Sequence, residues 1–131
     1  MNIKRIATGV GSILIAALTF MSSSTADDSV ILSTELEGME GMEAKIMLFE
    51  VDSDWVTERH THPGQLFVYV LEGSVEVAVE GDEPKLVSAG EAFYERPDTP
   101  MVGRTASSEG AKFIVFNVGR TGEPITVSQT E

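Results

Sequence analysis

Cysteine is absent from the chain's 131 residues. Disulfide bonds, thiolate metal ligands and cysteine nucleophiles are therefore excluded. Basic residues are also scarce, since 9 lysines and arginines stand against 21 aspartates and glutamates. Such an acidic surface repels phosphate groups and anionic lipid headgroups. The composition therefore argues against nucleic acid and membrane surfaces as partners.

A long apolar run occurs only near the N-terminus. Two basic residues precede residues 6–20, which are uncharged and mostly apolar. This run of about 15 residues is shorter than the roughly 20 that a helix needs to span a bilayer core. The small residues Ser24 and Ala26 then fit the pattern that signal peptidase cleaves. We therefore predict a cleavable signal segment over residues 1–26 and one mature domain over residues 27–131, with an uncleaved membrane anchor as the alternative.

The predicted signal segment sets the expected location of the protein. No cysteine follows the apolar run, so a lipid anchor is excluded, and cleavage leaves no stable membrane anchor. We therefore expect a periplasmic or secreted protein. A domain of this size without disulfides depends for its stability on the packing of its core.

The dominant pattern after the signal segment is an alternation of period two. Residues 74–80 alternate between apolar and polar or small side chains, as in a half-buried strand. Residues 66–71 are continuously apolar, which predicts a strand that is covered on both faces. Glu72 and Gly73 separate the two runs and predict a tight hairpin turn. Further strands are predicted at residues 30–32, 45–51, 85–87, 92–94, 112–118 and 124–127.

The spacing of turns indicates the fold class. Turn residues recur about every eight to twelve positions, and no segment after the signal region keeps its apolar residues at helical spacing. This pattern is typical of an antiparallel β-sandwich or a closed β-barrel. The sequence therefore predicts an all-β fold in a single domain.

The two histidines of the chain, His60 and His62, are two residues apart. On a strand, such residues point to the same face, with roughly 6 to 7 Å between their backbones. Two imidazoles in this arrangement can bind one metal ion. Two solvent-exposed histidines in a loop would show the same spacing, so the pair alone leaves both interpretations open.

Two segments carry a family resemblance. Residues 60–73, with the sequence HTHPGQLFVYVLEG, closely resemble the first motif of the cupins, in which a His-x-His pair precedes a strand. Residues 90–100, GEAFYERPDTP, resemble the second motif, with its Gly-(Asp/Glu) turn, strand and proline-containing loop. The chain is thus similar to the small single-domain cupins. That resemblance implies an antiparallel β-barrel of the jelly-roll type, whose mouth often holds a divalent metal, and it implies a homodimer.

Transferred residue by residue, the metal site implied by the resemblance is incomplete. The family usually supplies three histidines and one glutamate, and His60 and His62 match the first two histidines. The glutamate position is occupied by Leu66, and the position of the third histidine by Met101. Gln65 is the nearest oxygen donor, although strand alternation predicts that it faces away from His62. Two imidazoles without a carboxylate bind Zn²⁺, Fe²⁺ or Mn²⁺ poorly, since those ions favour three or four protein ligands.

Three interpretations of the barrel mouth follow. In the first, the barrel binds a small apolar or amphipathic molecule, and a metal is weakly bound or absent. The predicted pocket residues are His60, His62, Leu66, Tyr94 and Met101. In a variant of this interpretation, the side chains of Leu66 and Met101 fill the pocket, so that it is closed. Aromatic residues that are available as walls are Trp55, Phe67, Tyr69, Phe93 and Tyr94.

The second interpretation assigns the site to copper, because two imidazoles and the thioether of Met101 suit that ion. The third is a metal-dependent enzyme, such as a dioxygenase or an isomerase, that uses copper, iron, manganese or zinc at His60 and His62. Tyr94 and Glu95 are further candidates for acid–base roles, and the ordinary expectation for both is a solvated surface position. No catalytic residue is assigned from the sequence. The cofactor that the second and third interpretations require is one divalent metal or copper ion.

Overall fold

The computed structural model describes residues 26–130. Within this range the chain forms strands connected by turns and loops. No helix in the described range is long and apolar enough to cross a membrane. The strands are β1 (Ala26–Glu35), β2 (Met42–Val51), β3 (His60–Thr61), β4 (Gln65–Glu72), β5 (Ser74–Val79), β6 (Lys85–Ser88), β7 (Ala92–Glu95), β8 (Met101–Thr105), β9 (Ala111–Arg120) and β10 (Val127–Ser128).

The strands form two antiparallel five-stranded sheets. The first sheet has the order β1-β2-β9-β4-β7, and the second has the order β10-β3-β8-β5-β6. The long strands β2 and β9 pair along their whole length, from Met42 opposite Arg120 to Val51 opposite Ala111. The all-β, antiparallel fold that the sequence predicts is therefore confirmed.

Apolar side chains from both sheets meet in the interior. Strand β5 shows the pattern, since Val75, Val77 and Val79 point inward and are buried, whereas the residues between them are partly exposed. Valine suits such positions because its branched side chain packs well on a pleated surface. The largest cluster of buried apolar residues comprises Val51, Leu66, Val68, Val70, Val75, Val87, Ala111, Phe113 and Val115.

Strand β4 differs from the prediction. Its continuous apolar run predicted cover on both faces, but the structure buries only alternate residues. Phe67 and Tyr69 lie on the outer face, where 43% and 46% of their surfaces are exposed. The prediction was wrong because the outward side chains pack along the outside of the sheet. There the ring of Phe67 stacks on that of Tyr94, with 5.1 Å between ring centres, and lies 6.1 Å from that of Phe116.

The predicted signal segment, residues 1–26, lies outside the described residues except for Ala26. Strand β1 begins at Ala26, which pairs with Val51 of β2. Cleavage after residue 26 would therefore remove only the first residue of β1. Since β1 is the edge strand of the first sheet, such a cut leaves the pairing of the inner strands unchanged.

Candidate functional site

A cavity of about 300 Å³ lies between the two sheets. Its walls are mainly apolar and come from both sheets and from the loop that holds Trp55. Three titratable side chains, those of His60, His62 and Glu95, meet at one side of it. The apolar lining residues are Met47, Phe49, Trp55, Leu66, Val68, Val75, Val77, Met101, Phe113, Val115 and Ile125.

The short strand β3 and its neighbours place the two histidines. His60 lies opposite Met101 of β8 on one side and opposite Ser128 of β10 on the other. His60 and His62 are buried, with 8% and 5% of their surfaces exposed. Because they are two residues apart in extended chain, they point to the same face. Their Nε2 atoms lie 3.1 Å apart, so the two imidazoles converge on one point of the cavity wall.

Backbone carbonyl groups fix the tautomers of both rings. Nδ1 of His60 lies 2.8 Å from the carbonyl oxygen of Glu58, and Nδ1 of His62 lies 2.7 Å from that of Ile125. A carbonyl oxygen only accepts hydrogen bonds, so each Nδ1 carries a hydrogen and donates it. In the neutral rings, each Nε2 then presents a lone pair to the cavity.

Burial lowers the pKa of His60 from its ordinary value of 6.5, because desolvation disfavours the imidazolium form. The hydrogen bond to the carbonyl oxygen of Glu58 raises this pKa, charge on His62 lowers it, and the carboxylate of Glu95 raises it. Burial has the largest effect of these, so the pKa of His60 is lowered and the ring is neutral near pH 7. A neutral imidazole is the form that accepts a hydrogen bond or binds a metal ion through Nε2.

Glu95 joins the histidines from strand β7. Its side chain is buried, and its Oε2 lies 3.1 Å from Nε2 of His62. In the register of the first sheet, Glu95 lies directly opposite Leu66, which occupies the glutamate position of the resemblance. The expectation of a solvated surface position for Glu95 was wrong. The sequence held one signal for its burial, because Phe93 is apolar and shares a strand face with residue 95.

Four of the predicted pocket residues line the cavity, namely His60, His62, Leu66 and Met101. The structure corrects the prediction for Tyr94, which lies on the outer face with 44% of its surface exposed. The reason is alternation in β7, where Glu95 points inward and its neighbour must point outward. Gln65, a candidate oxygen ligand, is also exposed and accepts a hydrogen bond from the hydroxyl of Tyr94 on that outer face. It is therefore directed away from the histidines.

The five aromatic residues that the sequence offered as cavity walls lie partly inside the barrel and partly on the outer face of the first sheet. Trp55 lines the cavity and lies 5.7 Å from the ring of Phe113. Phe67, Tyr69 and Tyr94 point outward, and Phe93 packs against the buried apolar clusters. Trp55 is thus the aromatic wall residue among those five. The side chains of Leu66 and Met101 are buried in the wall, and the cavity remains beside them.

Comparisons with known proteins agree with this architecture. The family model described as Cupin domain matches residues 47–117. A protein from Klebsiella pneumoniae with a double-stranded β-helix domain has a TM-score of 0.63 and 16% identity, covering 81% of this chain and 85% of that one. A cupin 2 domain-containing protein from Halorhodospira halophila has a TM-score of 0.63 and 17% identity, covering 80% of this chain and 70% of that one.

A third solved structure is that of a DMSP lyase from Ruegeria pomeroyi. Its TM-score is 0.60 at 18% identity, and the match covers 88% of this chain but 56% of the lyase chain. At identities this low, structural likeness shows the fold alone. No curated protein sequence matches the chain.

Proposed function

Because the chain belongs to the cupin domain family, we propose that its barrel binds a small, largely apolar molecule in the cavity between the sheets. The observation that carries this proposal is the cavity of about 300 Å³, with its apolar walls and its few polar groups. Sites for small molecules have this composition, because apolar walls supply the binding free energy and a few polar groups orient the ligand.

The polar side of the cavity indicates the class of ligand. The neutral ring of His60 accepts a hydrogen bond at Nε2, and Nε2 of His62 lies beside it. We expect a ligand with an apolar body that contacts Trp55 and Phe113, and with one hydroxyl or amine group directed at the imidazoles. The buried carboxylate of Glu95 disfavours an anionic ligand, since two like charges would meet in a poorly solvated place.

Replacing Gly103 with leucine tests whether the cavity binds ligands. Gly103 lies in the cavity wall, and a Cβ there would meet the ring of Trp55 at 3.5 Å, which is an ordinary contact. A larger side chain at this position therefore enters the cavity. We expect Gly103→Leu to bind the neutral fluorescent probe N-phenylnaphthylamine at least about tenfold more weakly than the parent protein does. Fluorescence titration measures both affinities.

Val102→Leu is the matched control for this experiment. Val102 is the neighbouring residue on β8 and points away from the cavity, because Met101 and Gly103 on either side line it. This variant should bind the probe as the parent does. Equal binding by the Gly103→Leu variant and the parent would contradict the proposal and would indicate binding elsewhere, such as at the exposed rings of Phe67 and Tyr69.

A metal-dependent enzyme is the second candidate function. It is favoured by the meeting of two imidazoles and a carboxylate beside a cavity that can admit a substrate. Nitrogen and carboxylate donors of this kind are used by zinc and non-haem iron enzymes. The DMSP lyase named above shares only its fold with this chain, so no substrate is assigned. Failure of the protein to take up any metal ion would contradict this candidate.

We further propose that the protein functions after export, in the periplasm or outside the cell. This proposal is supported by the N-terminal sequence, in which basic residues are followed by a short apolar run and then by small residues before Asp27. We expect the chain recovered from the exported fraction to begin at Asp27, which mass spectrometry of the intact protein measures. A chain that still begins at Met1 and fractionates with membranes would instead indicate an uncleaved anchor.

A further inference from the structure

The walls of the cavity carry acidic side chains without a permanently basic one to balance them. Of the lining residues in the described range, Glu58 and Glu95 are acidic, and none is a lysine or an arginine. Glu58 is exposed, whereas only 7% of the surface of Glu95 is exposed. A buried carboxylate is costly to desolvate unless positive charge or hydrogen-bond donors lie beside it. A positively charged ligand therefore gains an electrostatic interaction in this cavity that a neutral ligand lacks.

Hydrogen-bond acceptors gather at the polar side of the cavity. Nδ1 of each imidazole donates to a backbone carbonyl oxygen, so both Nε2 atoms are acceptors in the neutral rings. Nε2 of His62 lies 3.1 Å from Nε2 of His60 and 3.1 Å from Oε2 of Glu95. An imidazolium form of His62 would supply one hydrogen to this group of three acceptors. A primary ammonium group supplies three hydrogens together with a positive charge.

Three aromatic rings form another part of the cavity wall. Phe49, Trp55 and Phe113 all line the cavity. The rings of Phe49 and Phe113 are stacked with 5.2 Å between their centres, and the ring of Trp55 lies 5.7 Å from that of Phe113. The face of an aromatic ring attracts a cation that lies within about 6 Å of its centre, and tryptophan attracts it most strongly. These rings therefore favour a ligand whose positive charge is attached to an apolar body.

The charge of the whole protein acts in the same direction. Its formal net charge is −12 at pH 7, and such a charge raises the local concentration of small cations and lowers that of anions. Salt screens this long-range attraction at the surface much more than it screens the interaction with a buried carboxylate. The salt dependence of binding therefore separates a cation inside the cavity from cations that accumulate at the acidic surface.

We propose that the cavity selects organic cations, namely amines that are protonated at neutral pH and carry a small apolar body. The ammonium group donates hydrogen bonds to Nε2 of His60 and to Oε2 of Glu95, while the apolar body contacts the three aromatic rings. Glu95 determines the selectivity, because it supplies the buried negative charge of the cavity. This inference rests on the proposed binding of a small molecule in the cavity and adds the sign of the ligand's charge.

Three small ligands with the same aromatic ring and different charges test the selectivity. Near pH 7 benzylamine is a cation, benzyl alcohol is neutral and benzoate is an anion. We expect the parent protein to bind benzylamine at least about tenfold more tightly than benzyl alcohol, and benzoate most weakly of the three. Titrations followed by NMR chemical shifts measure the affinities at about 50 mM and about 500 mM NaCl, and the preference for benzylamine should persist at the higher concentration.

Glu95→Gln removes the charge of the buried side chain and nearly keeps its shape. This variant should bind benzylamine at least about tenfold more weakly than the parent and benzyl alcohol within about twofold of the parent. Glu95→Asp keeps the charge and should keep the preference for the cation. Glu83→Gln, which removes the same charge from an exposed position, is the matched control and should bind all three ligands as the parent does. Circular dichroism shows whether each variant is folded.

The outcomes separate this inference from the proposed cavity. A parent that binds benzyl alcohol as tightly as benzylamine, or a folded Glu95→Gln variant that keeps the preference, would overturn the selectivity for cations and leave the ligand cavity standing. A preference that disappears at the higher salt concentration would place the cation at the acidic surface and would overturn the role of Glu95. A parent that binds neither these ligands nor N-phenylnaphthylamine would contradict the cavity itself.

Discussion

Replacing Gly110 with alanine is expected to lower the free energy of unfolding by about 4 kcal/mol or more, an effect that few single substitutions produce. Gly110 has a φ of 87°, and a side chain in that conformation is strained by about 1 to 2 kcal/mol. A Cβ at this position would also overlap the carbonyl oxygen of Val51 at the end of β2. Because that oxygen belongs to the backbone of a paired strand, it cannot turn aside as a flexible side chain can. Urea denaturation measures the loss.

Gly81→Ala is the matched control for Gly110→Ala. Gly81 has a φ of 88°, and apart from Gly81 and its two chain neighbours no atom of the described residues lies within 4 Å of a Cβ built on it. Its expected cost is therefore the conformational strain alone, about 1 to 2 kcal/mol. If the two variants lost the same free energy of unfolding, the overlap with Val51 would have been relieved without cost, and the prediction would be wrong.

Replacing Met101 with histidine is expected to raise the affinity for Zn²⁺ at least about tenfold, equivalent to about 1.4 kcal/mol. Met101 is buried in the cavity wall and lies opposite His60 in the pairing of β8 with β3. An imidazole at this position adds a nitrogen donor next to those of His60 and His62. A site with three protein ligands binds Zn²⁺ more tightly than a site with two. Competition with a chromophoric chelator measures the affinity.

The variant Val102→His is the control for this prediction. It adds the same imidazole to the same strand, but on the face that points away from the cavity. Its affinity for Zn²⁺ should equal that of the parent, apart from weak binding by the acidic surface. If Met101→His and Val102→His bound Zn²⁺ equally, the ion would not lie beside His60. Circular dichroism of both variants shows whether the barrel is retained.

Local patterns predicted those strands in which one face meets the core. Residues 74–80 alternate in the sequence, and the valines of β5 are buried as that alternation requires. The same reasoning failed for β4, because Phe67 and Tyr69 are as apolar as buried residues although they lie on the outer face. Apolar character alone therefore does not distinguish a buried position from an outer face on which aromatic side chains pack together. The misplacement of Tyr94 has the same origin, since its ring packs on Phe67 there.

By itself the sequence determined the all-β fold and the cupin resemblance, and it predicted that His60 and His62 share a face if they lie on a strand. Each of these follows from short-range regularities: period two, turn residues and the spacing within a motif. Only the tertiary structure decided that Glu95 belongs with the histidines, because that contact depends on the pairing of β7 with β4 and on the packing of one sheet over the other. Register between strands is set by all the side chains that they bury together, so no single segment of the sequence encodes it.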